Sequence, residues 1–348
     1  MDAKGLLILA CSDENWTPAQ IDPVLQAFPN LPIFGGIFPY IVYRGKHYSN
    51  GILVVGLNVL PHITVIKNIS AASGGVKKQI SQLSKSITHA KSLITLVDGL
   101  ADNIVFFLED LCAFISNGVK IAGGGAGFLD LSKKPCVFTN AGMLQDAAVL
   151  VALDVPIHLA TGHGWEIMKG PFLVTESKGN VLSSLNYEPA YSVYQEQIEA
   201  NSGTSCTYAG FAAMARNYPL GIENLDGEIL VREPIDLNND HLVCVGEIHE
   251  NSVVYLLKGN PENLVAAAGQ TARSLSVMQK QEHDSVLLFD CISRALFLGD
   301  EFYKELETIG NNLFRKDAFF GALTIGEICS NPNGQVKFLN KSTVLAAF

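Results

Sequence analysis

Apolar residues fall in short uninterrupted runs, each closed by Gly, Asn, Asp or Pro. The runs at residues 6–10, 52–57, 92–97, 119–122, 135–140 and 149–153 read as strands. Three helices stand out between them. Asp102 or Asn103 can cap a helix that runs through Ile115, with Asn117-Gly118 as its stop. Residues 189–200 give a second, with Pro189 early and Glu196 and Glu199 later. Asn260-Pro261-Glu262 starts a third. It offers an N-cap, then proline at the first position, then an acid at the positive end of the helix dipole, and the helix should reach Met278.

The pattern repeats. Leu96-Val97-Asp98 and Leu288-Phe289-Asp290 are both apolar strands ending in Asp, and each precedes a helix-like segment. The first then gives the Gly-rich stretch 119–128 and the second 319–328, with Gly321 and Gly326. Both close on a hairpin-like pair, at 136–153 and 336–347. Upstream, residues 51–57 and 70–84 resemble 252–259 and 261–276, strand then helix. The expected fold is mixed α/β (α+β): two related strand-rich halves with mixed sheets and flanking helices, an internal pseudo-duplication. Ligands often bind between such halves.

Composition narrows the class. The chain has 348 residues, 48% apolar and 17% charged, too hydrophobic and too poor in charge for disorder. Its net charge of −10 would repel a phosphate backbone, and the densest basic spots are only Lys77-Lys78 and Lys133-Lys134. Nucleic acid is therefore not an expected partner. No run approaches the ~18 apolar residues of a spanning helix, and the N-terminal run is too short for a secretory signal. Neither a membrane nor secretion is expected, and the seven scattered cysteines suit buried thiols in the cytoplasm.

Most chemical motifs fail. Gly123-Gly124-Gly125-Ala126-Gly127 lacks the third glycine of a dinucleotide fingerprint, because Phe128 and a loop follow. These glycines read instead as a close approach to a neighbour or ligand. There is no Walker lysine, no G-x-S-x-G elbow and no H-E-x-x-H. Glu247, His249 and Glu250 read as a solvated strand, with the first two on one face. Cys291, beside Asp290 at a strand end, is a conceivable nucleophile, although buried thiols are commoner.

Two residues carry more. His163 lies in Thr161-Gly162-His163-Gly164-Trp165-Glu166, where flanking glycines leave room for a flat ligand beside an indole. A core or turn histidine bonded to backbone is the commoner explanation. His158 is a weaker candidate on the preceding strand. Arg294 is the lone charge in an apolar run, and it pairs with Glu305 or Asp290 or anchors a ligand carboxylate.

In order along the chain, Gly123 to Gly127, His163-Gly164-Trp165, Val174-Thr175, Gly179-Asn180-Val181, Pro189-Ala190 and Tyr194 resemble the FIST family. So do Pro219-Leu220-Gly221, Phe289-Asp290-Cys291 with Arg294, Leu298-Gly299, Gly326-Glu327-Ile328 and Asn340-Lys341-Ser342-Thr343. The resemblance implies a FIST N-type sensory domain over 1–185 and a FIST C-type domain over 186–348. It implies a bacterial intracellular sensor of a small molecule or gas rather than a catalyst. The branch it looks most like binds haem b, senses nitric oxide and regulates a separate histidine kinase or cyclic-di-GMP enzyme. On that resemblance His163 is the iron ligand, and Trp165, Gly125, Gly127 and Arg294 are the cofactor-binding residues. Without C-x-x-C-H such a haem is held non-covalently. A homodimer is also open. The alternatives are a sensor of another small ligand, such as an amino acid with Arg294 on its carboxylate, and an enzyme using Asp98, Asp290 or Cys291.

Overall fold

A computed structural model describes residues 3–14, 16–71, 74–87, 90–116, 118–203, 205–224, 227–278 and 285–348. Its first repeat comprises β1 (Gly5–Cys11), α1 (Pro18–Gln26), β2 (Ile33–Phe38), the hairpin β3 (Tyr40–Tyr43) and β4 (Lys46–Tyr48), and β5 (Ile52–Leu57). After β6 (His62–Lys67) and α2 (Gly74–Ile87), the second comprises β7 (Ser92–Asp98), α3 (Ile104–Phe114), β8 (Lys120–Ala126), β9 (Val137–Thr139), β10 (Gly142–Leu144) and β11 (Ala147–Leu153). Then come β12 (His158–Gly162) and a separate subdomain. That subdomain holds β13 (Glu166–Lys178), β14 (Val181–Leu185), β15 (Glu188–Pro189), α4 (Ala190–Ser202) and α5 (Phe211–Ala215), followed by β16 (Leu220–Glu223), β17 (Ile229–Arg232), β18 (Pro234–Asn238), β19 (His241–Cys244) and β20 (Val253–Lys258). After α6 (Pro261–Met278), the third repeat comprises β21 (Val286–Cys291), α7 (Ile292–Leu298), α8 (Phe302–Asn312), β22 (Phe319–Thr324), β23 (Glu327–Ser330), β24 (Val336–Leu339) and β25 (Thr343–Ala347).

The mixed fold read from sequence is present, and the echo extends to a third copy. In every repeat two strands pair in parallel across a helical crossover: β1 with β2, β7 with β8, β21 with β22. In every repeat a later strand returns antiparallel to the first: β5, β11 and β25. The intervening hairpin leaves its own sheet. β3–β4 joins β22, β9–β10 joins β2, and β23–β24 joins β8, so the repeats exchange hairpins in a closed cycle. Residues 336–347 are thus not a hairpin, since β24 pairs with β23 while β25 pairs with β21 and β12. Of 136–153, only β9 and β10 pair with each other, and β11 pairs with β7 and β6.

Burial on both faces explains the continuous apolar runs. β1, β7, β11 and β21 are buried along their whole length, and a strand covered on both faces has no polar alternation. β2, β8 and β22 touch one another, with Gly127 N–H donating to Ile37 O at 2.7 Å and Ile325 N–H to Gly125 O at 2.9 Å. This approach requires glycine. A Cβ on Gly125 would stand 2.1 Å from Ile325 O, and one on Gly123 would stand 1.8 Å from Thr95 O. The Gly-rich stretch therefore serves a protein neighbour.

The helix signals held, with one change at α3. Asn260 Oδ1 accepts from Glu262 N–H at 2.9 Å, as its N-cap pattern predicts. Asn103 precedes α3 in a left-handed conformation, but its side chain donates to Ser70 O at 2.7 Å instead of capping. Asn117 lies outside the described residues.

Candidate functional site

The carboxyl ends of β8, β21 and β22 converge on a cavity of about 150 Å³. In sheets with parallel strands this is where loops and helix starts leave room for ligands. Leu100, Phe128, Leu129 and Ile325 form apolar walls, and Cys291, Ser293, Arg216, Glu233 and Asn340 supply the polar lining.

Beneath the cavity lies a buried polar cluster. Lys341, fully buried, donates to Ser293 Oγ at 2.7 Å and Arg216 O at 3.0 Å, and pairs with Glu233 at 3.0 Å. Its ammonium also stands 5.0 Å from the Trp165 ring centroid. Ser293 donates in turn to Glu233. A hydroxyl, an amine and a carboxylate in this order suggest a nucleophile, a base and an orienting group. The directions oppose that reading. The Lys341 ammonium is donor-only, and all three of these contacts use its protons, so no lone pair faces Ser293. The triad is a hydrogen-bonding floor.

Arg294 lies behind it, fully buried. It donates from Nε and Nη2 to Glu305, both at 2.8 Å at their shortest, from Nη2 to Leu264 O at 2.5 Å, and from Nη1 to Lys341 O at 3.3 Å and to His163 O. All five guanidinium protons are engaged. The pairing with Glu305 expected from the sequence is present, and Asp290 stands 3.9 Å away. Burial, and then the Glu305 carboxylate, push Asp290 far above the usual carboxylate range. Its Oδ2 is buried with no hydrogen-bond partner. Burial likewise raises the Cys291 thiol well above its ordinary value, so it is a poor nucleophile despite reaching the cavity wall.

Glu327 completes the cluster. It is fully buried, accepts from Ser342 N–H at 3.2 Å and lies 2.9 Å from Thr324 Oγ1. Burial lifts its pKa to about 8.

The histidine segment sits beside this cluster. His163 Nδ1 accepts from Trp165 N–H at 2.9 Å, and burial followed by the Arg294 charge lowers its pKa to about 4. The Trp165 indole donates to Lys341 O at 3.2 Å and packs on Phe297. His163, Trp165 and Arg294 are therefore neighbours. Gly125 and Gly127 instead face Ile325.

These residues do not fit a haem. One His163 nitrogen is engaged by Trp165 N–H, and His163 lines none of the five principal cavities among the described residues. The cavity beside the cluster has the volume that one benzene fills, about 150 Å³, and a porphyrin is several times larger. Arg294 has no proton left for a propionate.

Other sequence readings also change. Glu247 lies outside any strand and is 4% exposed, accepting from Val105 N–H at 3.2 Å. It lines a wider cleft of about 780 Å³ with His249 and Arg232, so the solvated-strand reading fails. Asp98 accepts from Leu100 N–H at 3.1 Å and Asp146 N–H at 2.8 Å and holds a turn. His158 opens β12 opposite Ala347. No group of three metal-ligating side chains occurs among the described residues, and no described helix is long and apolar enough to cross a membrane.

Sequence reasoning quoted Lys341 only within the family-like run 340–343 and gave it no role, and it missed Arg216. Lys341 had one further signal, as a cation close before the uninterrupted apolar run at 344–348. Arg216 follows the apolar run 211–215 and precedes Asn217, where a basic residue reads as an ordinary helix end.

No curated protein matches the chain. Residues 190–330 match the FIST C domain and residues 5–188 the FIST N domain, which are associated with sensory signal transduction and ligand binding. The second match alone spans more than half of the 348 residues, and the chain belongs to the FIST family.

Proposed function

We propose that the chain is the ligand-binding component of a sensory pathway, and that its ligand is a small zwitterion such as an α-amino acid with a short apolar side chain. One observation carries this reading. Arg216 and Glu233 line the same small cavity with opposite charges that are not joined to each other. The Arg216 guanidinium makes no ion pair or hydrogen bond among the described residues, and Glu233 uses only Oε1 toward Ser293 and Lys341. Arg216 would take the carboxylate, Glu233 Oε2 the ammonium, and Leu100, Phe128 and Ile325 the side chain. Arg294, the anchor expected from sequence, is saturated, and Arg216 replaces it. The reader of the signal would be a separate protein, a histidine kinase or cyclic-di-GMP enzyme being the kind the family resemblance implies.

Calorimetric titration of the purified chain with glycine, alanine, valine and leucine tests this. A charge-assisted bond contributes about 1.5–3 kcal/mol, so Arg216→Gln should weaken binding roughly tenfold to a hundredfold. Unchanged affinity in that variant, or no binding by any of the four, would overturn the assignment. A Soret band in the purified chain would replace it with the haem b and nitric oxide reading.

A further inference from the structure

The three repeats differ at one sheet edge. Outside β11 lies β6, antiparallel, and outside β25 lies β12, also antiparallel. Outside β5 no strand lies among the described residues, so the first sheet has five strands where the other two have six.

The free edge presents regular hydrogen-bonding groups. Cys11 N–H donates to Gly51 O at 3.0 Å, and β1 pairs with β5 in continuous register, Leu9 opposite Leu53 and Leu7 opposite Val55. Antiparallel alternation then turns the backbone of Leu53, Val55 and Leu57 toward β1, and that of Ile52, Val54 and Gly56 outward. No other backbone bond to these three is made among the described residues. Residues 51–58 carry no charge, and Val54 is 49% exposed. Sheet edges are normally guarded by lysine, proline or a bulge. Of the other outer strands in these three sheets, β4, β6 and β24 carry Lys46, Lys67 and Lys337, β10 is only three residues long, and β12 carries no lysine or proline. β5 has none of these guards.

We propose that β5 is an interface between two copies of this chain, each supplying the strand that the other's first sheet lacks. Two-fold symmetry makes the two β5 strands antiparallel, the direction that β6 and β12 take at the equivalent edges. A register with Val54 opposite Val54 of the copy, and Ile52 opposite Gly56, pairs every outward group and forms about six hydrogen bonds. No like charges meet in that register, and the contact is self-complementary, as a two-fold interface must be.

Sedimentation analysis of the full chain at micromolar concentration tests this. The expected result is a dimer for the natural chain and a monomer for Val54→Pro. That substitution removes an outward N–H while leaving the bonds to β1, and proline is tolerated on edge strands. Cysteine cross-linking keeps the test open if that variant misfolds. Facing Cα atoms in the paired register would stand about 5.5 Å apart, within disulfide reach. Val54→Cys should form a covalent dimer on oxidation, and Val55→Cys, displaced from its own copy, should not. Six of the seven native cysteines are buried, so background linkage is small. A monomeric natural chain, or equal linking by the two variants, would overturn the proposal.

Discussion

Replacing Glu327 by glutamine should flatten the pH dependence of stability. The Thr324 hydroxyl lies 3.2 Å from Asp290 O and 2.9 Å from Glu327 Oε1, yet it has one proton. Both contacts are hydrogen bonds only if Glu327 is protonated and donates to Thr324 while Thr324 donates to Asp290 O. That agrees with a pKa raised by burial from 4.5 to about 8. The folded chain keeps this proton to about pH 8, whereas the unfolded chain releases it near pH 4.5. The contribution is therefore complete below pH 4.5 and is lost as the pH rises through 8. Each unit corresponds to about 1.4 kcal/mol, so the full loss approaches roughly 5 kcal/mol as an upper bound. Glutamine keeps the shape, its amide can donate to Thr324, and its oxygen can accept from Ser342 N–H. Urea unfolding of both proteins at pH 5, 6, 7 and 8 measures the difference. Glu327→Gln should be near the natural chain at pH 5 and increasingly more stable than it toward pH 8. Parallel curves would refute the protonated assignment.

Two further substitutions test the frame around the site, and a third serves as a control. Arg294→Met leaves Glu305 buried without its ionic partner and takes one donor from each of three carbonyls, and should cost about 3–5 kcal/mol, lowering the thermal midpoint by roughly 10 °C in calorimetry. A shift under 2 °C would show that the pairing carries little. Gly125→Ala must displace Ile325 O from 2.1 Å and should destabilise by more than about 2 kcal/mol. Gly75→Ala, in α2 with open space around it, should be neutral or stabilising by up to about 1 kcal/mol. Equal midpoints for these two variants in thermal melts would remove the close-packing account of the glycine stretch.

Local chemistry was legible where one cause dominates. β5 and α6 could be read because an apolar run between turn residues, or an Asn-Pro-Glu start, is decided within a few residues. β7 and β21 echo each other because each carries an Asp in its last two residues, Asp98 and Asp290. The first repeat escaped notice because β1 ends in Ala10-Cys11 with no Asp, and its crossover helix contains Pro23. The hairpin exchange was out of reach for another reason. Tyr43 pairs with Phe320 and Gly124 with Glu327, and nothing local in either partner names the other. Arg294 was found because an isolated charge among apolar residues must have a partner. Arg216 was not, because its significance lies in having none.

The buried charges join parts of the chain that the sheets keep separate. Arg294 holds the His163 turn, α6, α8 and the Lys341 loop through one guanidinium. Lys341 then ties that loop to Arg216 and Glu233 in the inserted subdomain. Ligand binding on Arg216 and Glu233 would draw on the carboxylate that holds Lys341, and Lys341 shares its loop with the bonds to Arg294 and Trp165. A ligand shifts such an equilibrium only by its differential affinity for the two states. The affinity difference would reside in the competition between ligand ammonium and Lys341 for Glu233. Lys341→Met removes that competitor, so it should tighten ligand binding while loosening the joint between the subdomain and the repeats. Calorimetric titration and a thermal melt of the same variant read the two effects separately, and weaker binding in that variant would break the proposed link.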